Sequence, residues 1–390
     1  MEEIIMSSTV RGESLLSTIK IAVLPIAEVL VTCFLGFLMA SRFINILPAT
    51  GRKLLNGLVF SLLLPCLIFS QLGEAITLKK MLEWWFIPVN VVIATVVGSL
   101  IGLAVALIVQ PPYPFFKFTI IQIGIGNIGN IPLVLIATLC RDDSNPFGDT
   151  CSTDGTAFIA FGQWMGAIIL YTYVYSMLEP PPEGTFDIED GETPIKPLLV
   201  HDMEDCSSQN KIMDFLALVY KKLKLKQLLQ PPIVASILAM ILGAIPFTKK
   251  ILFTINEPLY FLADSCSMLG DAMIPCILLA LGGNLIEGPG KSKLGLRTTC
   301  AIIFARLVLV PPAGLGVVTL ADKFGFLPPN DPMFRFVLLL QFSMPTSVLA
   351  GAVANIKGCG REAAAVLFWV HIFSVISMAG WIILYLNILF

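Results

Sequence analysis

The sequence predicts an all-α polytopic membrane protein: ten transmembrane helices in two inverted repeats of five, with the fourth and ninth helices broken and crossed. Three observations lead there. Of 390 residues, 56% are hydrophobic and only 13% charged, against about 25% charged in a soluble domain. The apolar residues fall into ten runs, most of them long enough for the roughly 20 apolar residues that a spanning helix needs. Two runs, at matching places in the two halves, are interrupted by proline and polar residues.

The first group of runs is 19–41, 54–73, 84–110, 115–140 and 155–178, and the second is 231–248, 254–284, 297–320, 333–356 and 362–388. Met1 to Lys20 carries Glu2, Glu3, Arg11, Glu13 and Lys20. It has no basic n-region followed by a small-residue cleavage site, so the first run reads as an anchor that stays in the protein. Trp84, Trp85, Trp369 and Trp381 lie towards run ends, where amphipathic rings favour the membrane interface. Between the groups, 179–230 opens on Glu179-Pro180-Pro181-Pro182 and an acidic patch, and closes on Lys221, Lys222, Lys224 and Lys226. Its first part is polar and weakly hydrophobic and reads as a disordered, solvated linker. From Lys211 to Gln230 apolar residues recur among lysines, as in an interfacial helix. The expected domains are therefore 1–178 and 231–390, joined by a linker over 179–230.

Fifteen of the 25 basic residues fall on the long loop's side of the membrane and nine on the other, with Arg306 inside a run. Positive residues favour the cytoplasm. The long loop is thus expected in the cytosol and both termini in the lumen or outside.

Five runs, a linker and five runs imply an inverted repeat, because an odd number of crossings flips the second copy. Leu64-Pro65-Cys66-Leu67-Ile68 in the second run resembles Ile274-Pro275-Cys276-Ile277-Leu278 in the seventh. Gln122-Ile123-Gly124-Ile125-Gly126 in the fourth can be set against Gln341-Phe342-Ser343-Met344-Pro345 in the ninth.

The fourth run holds Gly124-Ile125-Gly126-Asn127-Ile128-Gly129-Asn130-Ile131-Pro132. Gly costs a helix about 1 kcal/mol and Pro about 3 relative to Ala, and Pro132 removes an amide donor and clashes with the carbonyl four residues back. Met344-Pro345-Thr346-Ser347 interrupts the ninth run at the matching place. Paired interruptions of this kind point to a transporter's binding site. Two half-helix N-termini meeting there would aim amide donors and positive dipole ends at one point, which suits a carboxylate. Asn127 and Asn130 would share a helical face and add neutral donors. The competing reading makes the glycines packing positions and the asparagines interhelical glue.

Glu28 in the first run and Asp271 before Ile274-Pro275 are acids in apolar surroundings, a costly placement that marks candidates for proton or ion coupling. Arg306 could pair with an acid or with a substrate anion. Asp264 reads as a helix-end residue and His371 as a satisfied interior histidine. Cys140 and Cys151 flank one polar loop and could pair if that loop faces an oxidising lumen. The other cysteines of the apolar stretches read as small hydrophobes. With two histidines and no CxxC no zinc site is indicated, and scattered basic residues form no nucleic-acid face. No nucleophile–base pair supports an enzyme.

The paired five-run halves, Gly-Asn-Ile-Gly-Asn-Ile-Pro over 126–132, Gly270-Asp271-Ala272-Met273-Ile274-Pro275 and Met344-Pro345-Thr346-Ser347 together resemble the plant PIN-LIKES (PILS) auxin carriers over nearly the whole chain. The resemblance extends more thinly to the PIN auxin efflux carriers and to bile-acid-symporter and sodium/proton-antiporter folds. It implies transport of indole-3-acetic acid across the endoplasmic reticulum membrane, limiting the auxin available for signalling. It also implies a scaffold of spans 1, 2, 6 and 7, often dimeric, and a mobile domain of spans 3–5 and 8–10. No cofactor is implied. The efflux carriers read Pro-Asn in the fourth crossover, whereas here glycine frames the asparagines.

The candidate substrate-binding residues are Gly126, Asn127, Gly129, Asn130, Pro132, Gln341, Pro345, Thr346 and Ser347, with Asp271 and Glu28 for coupling. An indole-acetate needs an apolar slot for its ring and donors for its carboxylate. The rivals are a cation-coupled carrier of another organic anion and a membrane receptor that binds without transport. The central expectation is geometric: Gly126–Pro132 and Pro345–Ser347 should meet near the membrane centre.

Overall fold

A backbone in lipid must satisfy its own N–H and C=O groups, which leaves helices and closed barrels as the spanning structures. In a computed structural model the chain takes the first course. The structure describes residues 31–141, 145–179, 231–284, 286 and 292–390, and among them there is no strand, only one isolated antiparallel bridge. Glu28 lies outside the described residues, and so does the linker 179–230 apart from Glu179.

In chain order the helices are α1 (Val31–Ala40), α2 (Ala49–Ala75), α3 (Leu78–Val109), α4 (Phe116–Gly124), α5 (Asn130–Arg141), α6 (Cys151–Met177), α7 (Pro231–Ala244), α8 (Pro246–Phe253), α9 (Tyr260–Ala280), α10 (Leu296–Lys323), α11 (Pro332–Ser343), α12 (Val348–Ile356) and α13 (Gly360–Leu389). Six of them (α2, α3, α6, α9, α10 and α13) are long and apolar enough to cross a membrane, seven if α7 and α8 form one span bent by 111°. That bend falls at Ile245, which is extended (φ −87°, ψ 117°) because Pro246 disfavours a helical residue before it. The fourth and ninth apolar runs fall short of spanning length because each is divided, into α4 and α5 and into α11 and α12.

Prolines inside continuous helices have a different effect. Pro65 in α2 and Pro311 in α10 each remove one amide donor, and the helix widens into a π-helical turn just upstream, over Val59–Leu63 and Ala305–Leu309. A third π turn, Leu170–Val174 in α6, has no proline behind it. The carbonyl of Leu307, four residues before Pro311, is taken instead by Ser377 Oγ at 2.8 Å and Trp381 Nε1 at 2.9 Å. Trp381, expected as an interface anchor, thus repairs a helix. Trp84 also departs from that expectation: it is buried edge-on against Phe158 and Phe161, with ring centroids 4.7 and 5.9 Å away. Trp85 and Trp369 remain exposed.

Small residues set the helix packing, as they do where lipid tails compete equally well for apolar surface. In α3, a Cβ at Gly98 or Gly102 would stand 2.8 Å from Gly124 O and 2.9 Å from Ile120 O of α4. One at Gly270 in α9 would stand 2.8 Å from Leu67 Cα in α2, and one at Gly243 in α7 would stand 2.8 Å from Gly73 O. Gly36 of α1 lies against Leu279 in the same way. Helices α1, α2, α7 and α9 therefore pack on one another, while α3 packs on α4 and α6 and α10 on α11.

Cys140 at the end of α5 is bonded to Cys151 at the start of α6, with Cα atoms 5.5 Å apart, inside the usual range. Among the described residues Cys33, Cys66, Cys266, Cys276 and Cys300 are free. Maleimide labelling of the denatured protein should therefore modify at least two fewer of its nine cysteines before reduction than after. Equal labelling would show the pair to be open.

Candidate functional site

Both divided helices stop for local reasons. Ile125 after α4 is extended (φ −101°, ψ 106°), at the start of a stretch poor in helix formers. Met344 after α11 is extended (φ −69°, ψ 149°), as a residue before proline tends to be. The two extended segments then pair, with Gly126 opposite Thr346 in an antiparallel bridge. Asn127 N donates to Pro345 O at 2.8 Å and Ser347 N to Ile125 O at 3.0 Å. Thr346 Oγ1 donates to Gln122 O at 2.7 Å. Amides and carbonyls that water would otherwise have to serve are satisfied across the crossover.

Arg306, on the π turn of α10, ties the two stopped helices together. Its Nε donates to Met344 O at 2.8 Å and its Nη1 to Ile123 O at 3.1 Å. These carbonyls stand at the C-terminal ends of α11 and α4, where the helix dipole is negative. The side chain is 1% exposed. Gly126 makes room for it, since a Cβ there would overlap the guanidinium.

The glycines of this segment thus have separate tasks. Gly124 admits Ser99, whose Oγ would lie 2.6 Å from its Cβ, and Gly126 admits Arg306. A Cβ on Gly129 would stand 3.2 Å from Gln163 Nε2. Gly129 N also donates to Asn127 Oδ1 at 3.2 Å, a local turn of the kind asparagine favours. The second half-helix then begins, with Leu133 N bonding Gly129 O. Pro132 therefore does not interrupt a helix. It sits in the first turn of α5, where a missing N–H leaves no intrahelical bond unmade. Ser347 opens α12 in the same manner, its Oγ accepting from Ala350 N at 3.4 Å.

The N-terminal ends of α5 and α12 face one cavity of about 90 Å³, room for several waters. It lies between α2 and α7 on one side and the crossover, α3 and α6 on the other. Its polar lining includes Asn127, Asn130, Gln163, Gln341, Ser347 and Arg306 among mostly apolar walls. Each of the three π turns contributes one wall residue, Phe60, Leu170 and Arg306, in keeping with the association of such turns with functional sites. Arg306 is the only ionisable side chain in the lining among the described residues.

Of the residues singled out from the sequence, Gly126, Asn127, Gly129, Asn130, Gln341 and Ser347 line this cavity. Pro132, Pro345 and Thr346 do not: the last two are spent on bonds within the crossover. Gln341 Oε1 accepts from Asn90 Nδ2 at 2.7 Å. Gln163 was not singled out, being one polar residue in an otherwise apolar run. Its Nε2 is buried with no hydrogen-bond partner among the described residues. Asp271 lies elsewhere, with Arg141, Gln71 and Pro275 on a second cavity that touches the first turns of α6 at Ser152 and Thr156. The first cavity touches α6 from Gln163 to Leu170, so the two are displaced along one helix. His371 bonds Leu367 O through Nδ1 at 2.7 Å, while its Nε2 has no partner among the described residues, so the interior histidine is satisfied on one side only.

The sequence matches the family described as membrane transport protein over residues 21–382. It is 66% identical to Protein PIN-LIKES 6 of Arabidopsis thaliana, over 97% of this chain and 95% of that protein. It is 38% identical to Protein PIN-LIKES 2 of the same plant, over 94% of each. An uncharacterized transporter of Schizosaccharomyces pombe is 23% identical over 88% of this chain.

The close approach at the crossover orders two substitutions. Gly126→Ala places a methyl on the Arg306 guanidinium and should cost about 1–3 kcal/mol of stability, as overpacking does. Gly129→Ala meets only the flexible end of Gln163 and should lower the melting temperature less. Thermal unfolding of the detergent-solubilised variants checks the order.

Proposed function

This chain belongs to the PIN-LIKES proteins within the membrane transport protein family, and on that premise we propose that it carries auxin across the endoplasmic reticulum membrane. The solute would be indole-3-acetate or a similar aromatic carboxylate, moved by alternating access. The observation that carries this reading is the crossover cavity. Two half-helix N-termini and a set of amide side chains meet there under apolar walls, a combination suited to a flat ring bearing a carboxylate.

The architecture we propose has ten spans, with α4–α5 and α11–α12 each crossing as one broken helix and the halves related as inverted repeats over 1–178 and 231–390. Helices α1, α2, α7 and α9, mutually packed through glycines, would form the scaffold and its dimer contact. The remaining spans would move against them around the cavity. The second cavity, towards the start of α6, would serve access from the opposite face, with Asp271 as a group available for proton or ion coupling. The Cys140–Cys151 bond supports a reading in which the α5–α6 connection lies in the oxidising lumen and the long loop would then lie in the cytosol.

Purified protein in liposomes should take up labelled indole-3-acetate at fixed pH and potential. Asn127→Ala and Asn130→Ala should each reduce uptake about tenfold or more, the loss expected from one hydrogen bond to a charged group. Binding without uptake would make the protein a receptor. Uptake that requires an imposed sodium or proton gradient, with indole-3-acetate a poor solute, would favour a cation-coupled carrier of another anion.

A further inference from the structure

Arg306 has donors to spare and, among the described residues, no negative partner. A guanidinium carries five N–H groups, and those on Nε and Nη1 that bond Met344 O and Ile123 O leave Nη2 with no partner among the described residues. The carbonyls are dipoles, so they solvate the cation without cancelling its charge. No acidic side chain pairs with Arg306 or lines its cavity among the described residues. A buried charge in a membrane domain is costly and is normally paired or functional. Nη2 lies over Gly126, the one wall residue whose missing side chain keeps the guanidinium at the cavity.

We propose that Arg306 is the fixed counter-charge of the solute: the site is built to be completed by one anionic group, and the carboxylate of the solute supplies it. This rests on the carrier reading for the cavity's use but makes a narrower claim about charge. The two half-helix N-termini and the amides orient the carboxylate as partial charges and neutral donors. The full unit of positive charge comes from α10. Because the surrounding medium is poorly polarisable, the guanidinium acts on an anion in the cavity whether or not they touch. Neutral analogues of the same shape would then lose to the acids.

The test uses acid and amide pairs that differ only in the charged group: indole-3-acetate with indole-3-acetamide, and phenylacetate with phenylacetamide. Affinity is read on the full-length protein in detergent by microscale thermophoresis, with thermal unfolding as the check on folding. The wild type should prefer the acid of at least one pair by about tenfold or more, the scale of a charge-assisted contact. Arg306→Gln should abolish the preference, bringing the ratio of acid to amide affinity to within about threefold of one, a readout in which any loss common to both partners cancels. Arg306→Lys should keep a preference, since it retains the charge and loses the fork. A wild type indifferent to charge in both pairs overturns the proposal without recourse to variants. So does a parallel fall of acid and amide affinity in Arg306→Gln and Arg306→Lys, which would make the side chain a brace alone. A preference for phenylacetate with no binding of indole-3-acetate, or binding without uptake, would sink the auxin-carrier reading and leave the charge assignment standing.

Discussion

Interrupting a helix inside a membrane leaves polar backbone groups where no water can serve them, and the rest of this structure depends on how that debt is met at the crossover. Two stopped helices supply each other's partners, Asn127 N to Pro345 O and Ser347 N to Ile125 O. Thr346 and Arg306 take three further carbonyls, those of Gln122, Met344 and Ile123. The bridge is short, but every bond in it joins segments more than 180 residues apart in the chain or passes through α10. The two halves therefore cannot separate at this point without exposing several polar groups at once.

The same arrangement sorts the helix ends by polarity. Negative C-terminal ends are held by a guanidinium, and positive N-terminal ends are left facing the cavity. The segregation follows from chain direction: in each broken run the first half ends at the bridge and the second half begins there. Small residues make the approach possible. Gly124, Gly126 and Gly129 each yield space to a different neighbour, Ser99, Arg306 and Gln163, as the packing reading of this segment expects. Close packing is what brings the donors together.

Much of this was legible in the sequence, and the gaps have physical causes. Glycines and prolines inside apolar runs announced the interruptions, and their matched order announced which two would meet. Pro132 was legible as a helix breaker but not as the opening turn of a new helix, because composition does not say on which side of a break a residue falls. Pro65 and Pro311 were absorbed by widened turns, and at Pro311 Ser377 and Trp381 reach the stranded carbonyl of Leu307. Gln163 was silent because a single amide in an apolar run has no periodic signature. The work of Arg306 was hidden for a related reason: its partners lie 183 and 38 residues away in sequence. Trp84 looked like an interface anchor until α6 covered it.

The π turns carry a consequence of their own for how this chain can vary. Each inserts roughly one residue beyond what a regular helix needs, and losing one residue would rotate everything downstream by about 100°. In α10 that rotation would separate Arg306 from the surface that follows it, including the stretch Val310–Lys323 that packs on α11. Along this helix the count of residues is thus as constrained as their identity. A single-residue gap between relatives at Ala305–Leu309 would signal a rebuilt site, whereas several conservative exchanges nearby could leave it untouched.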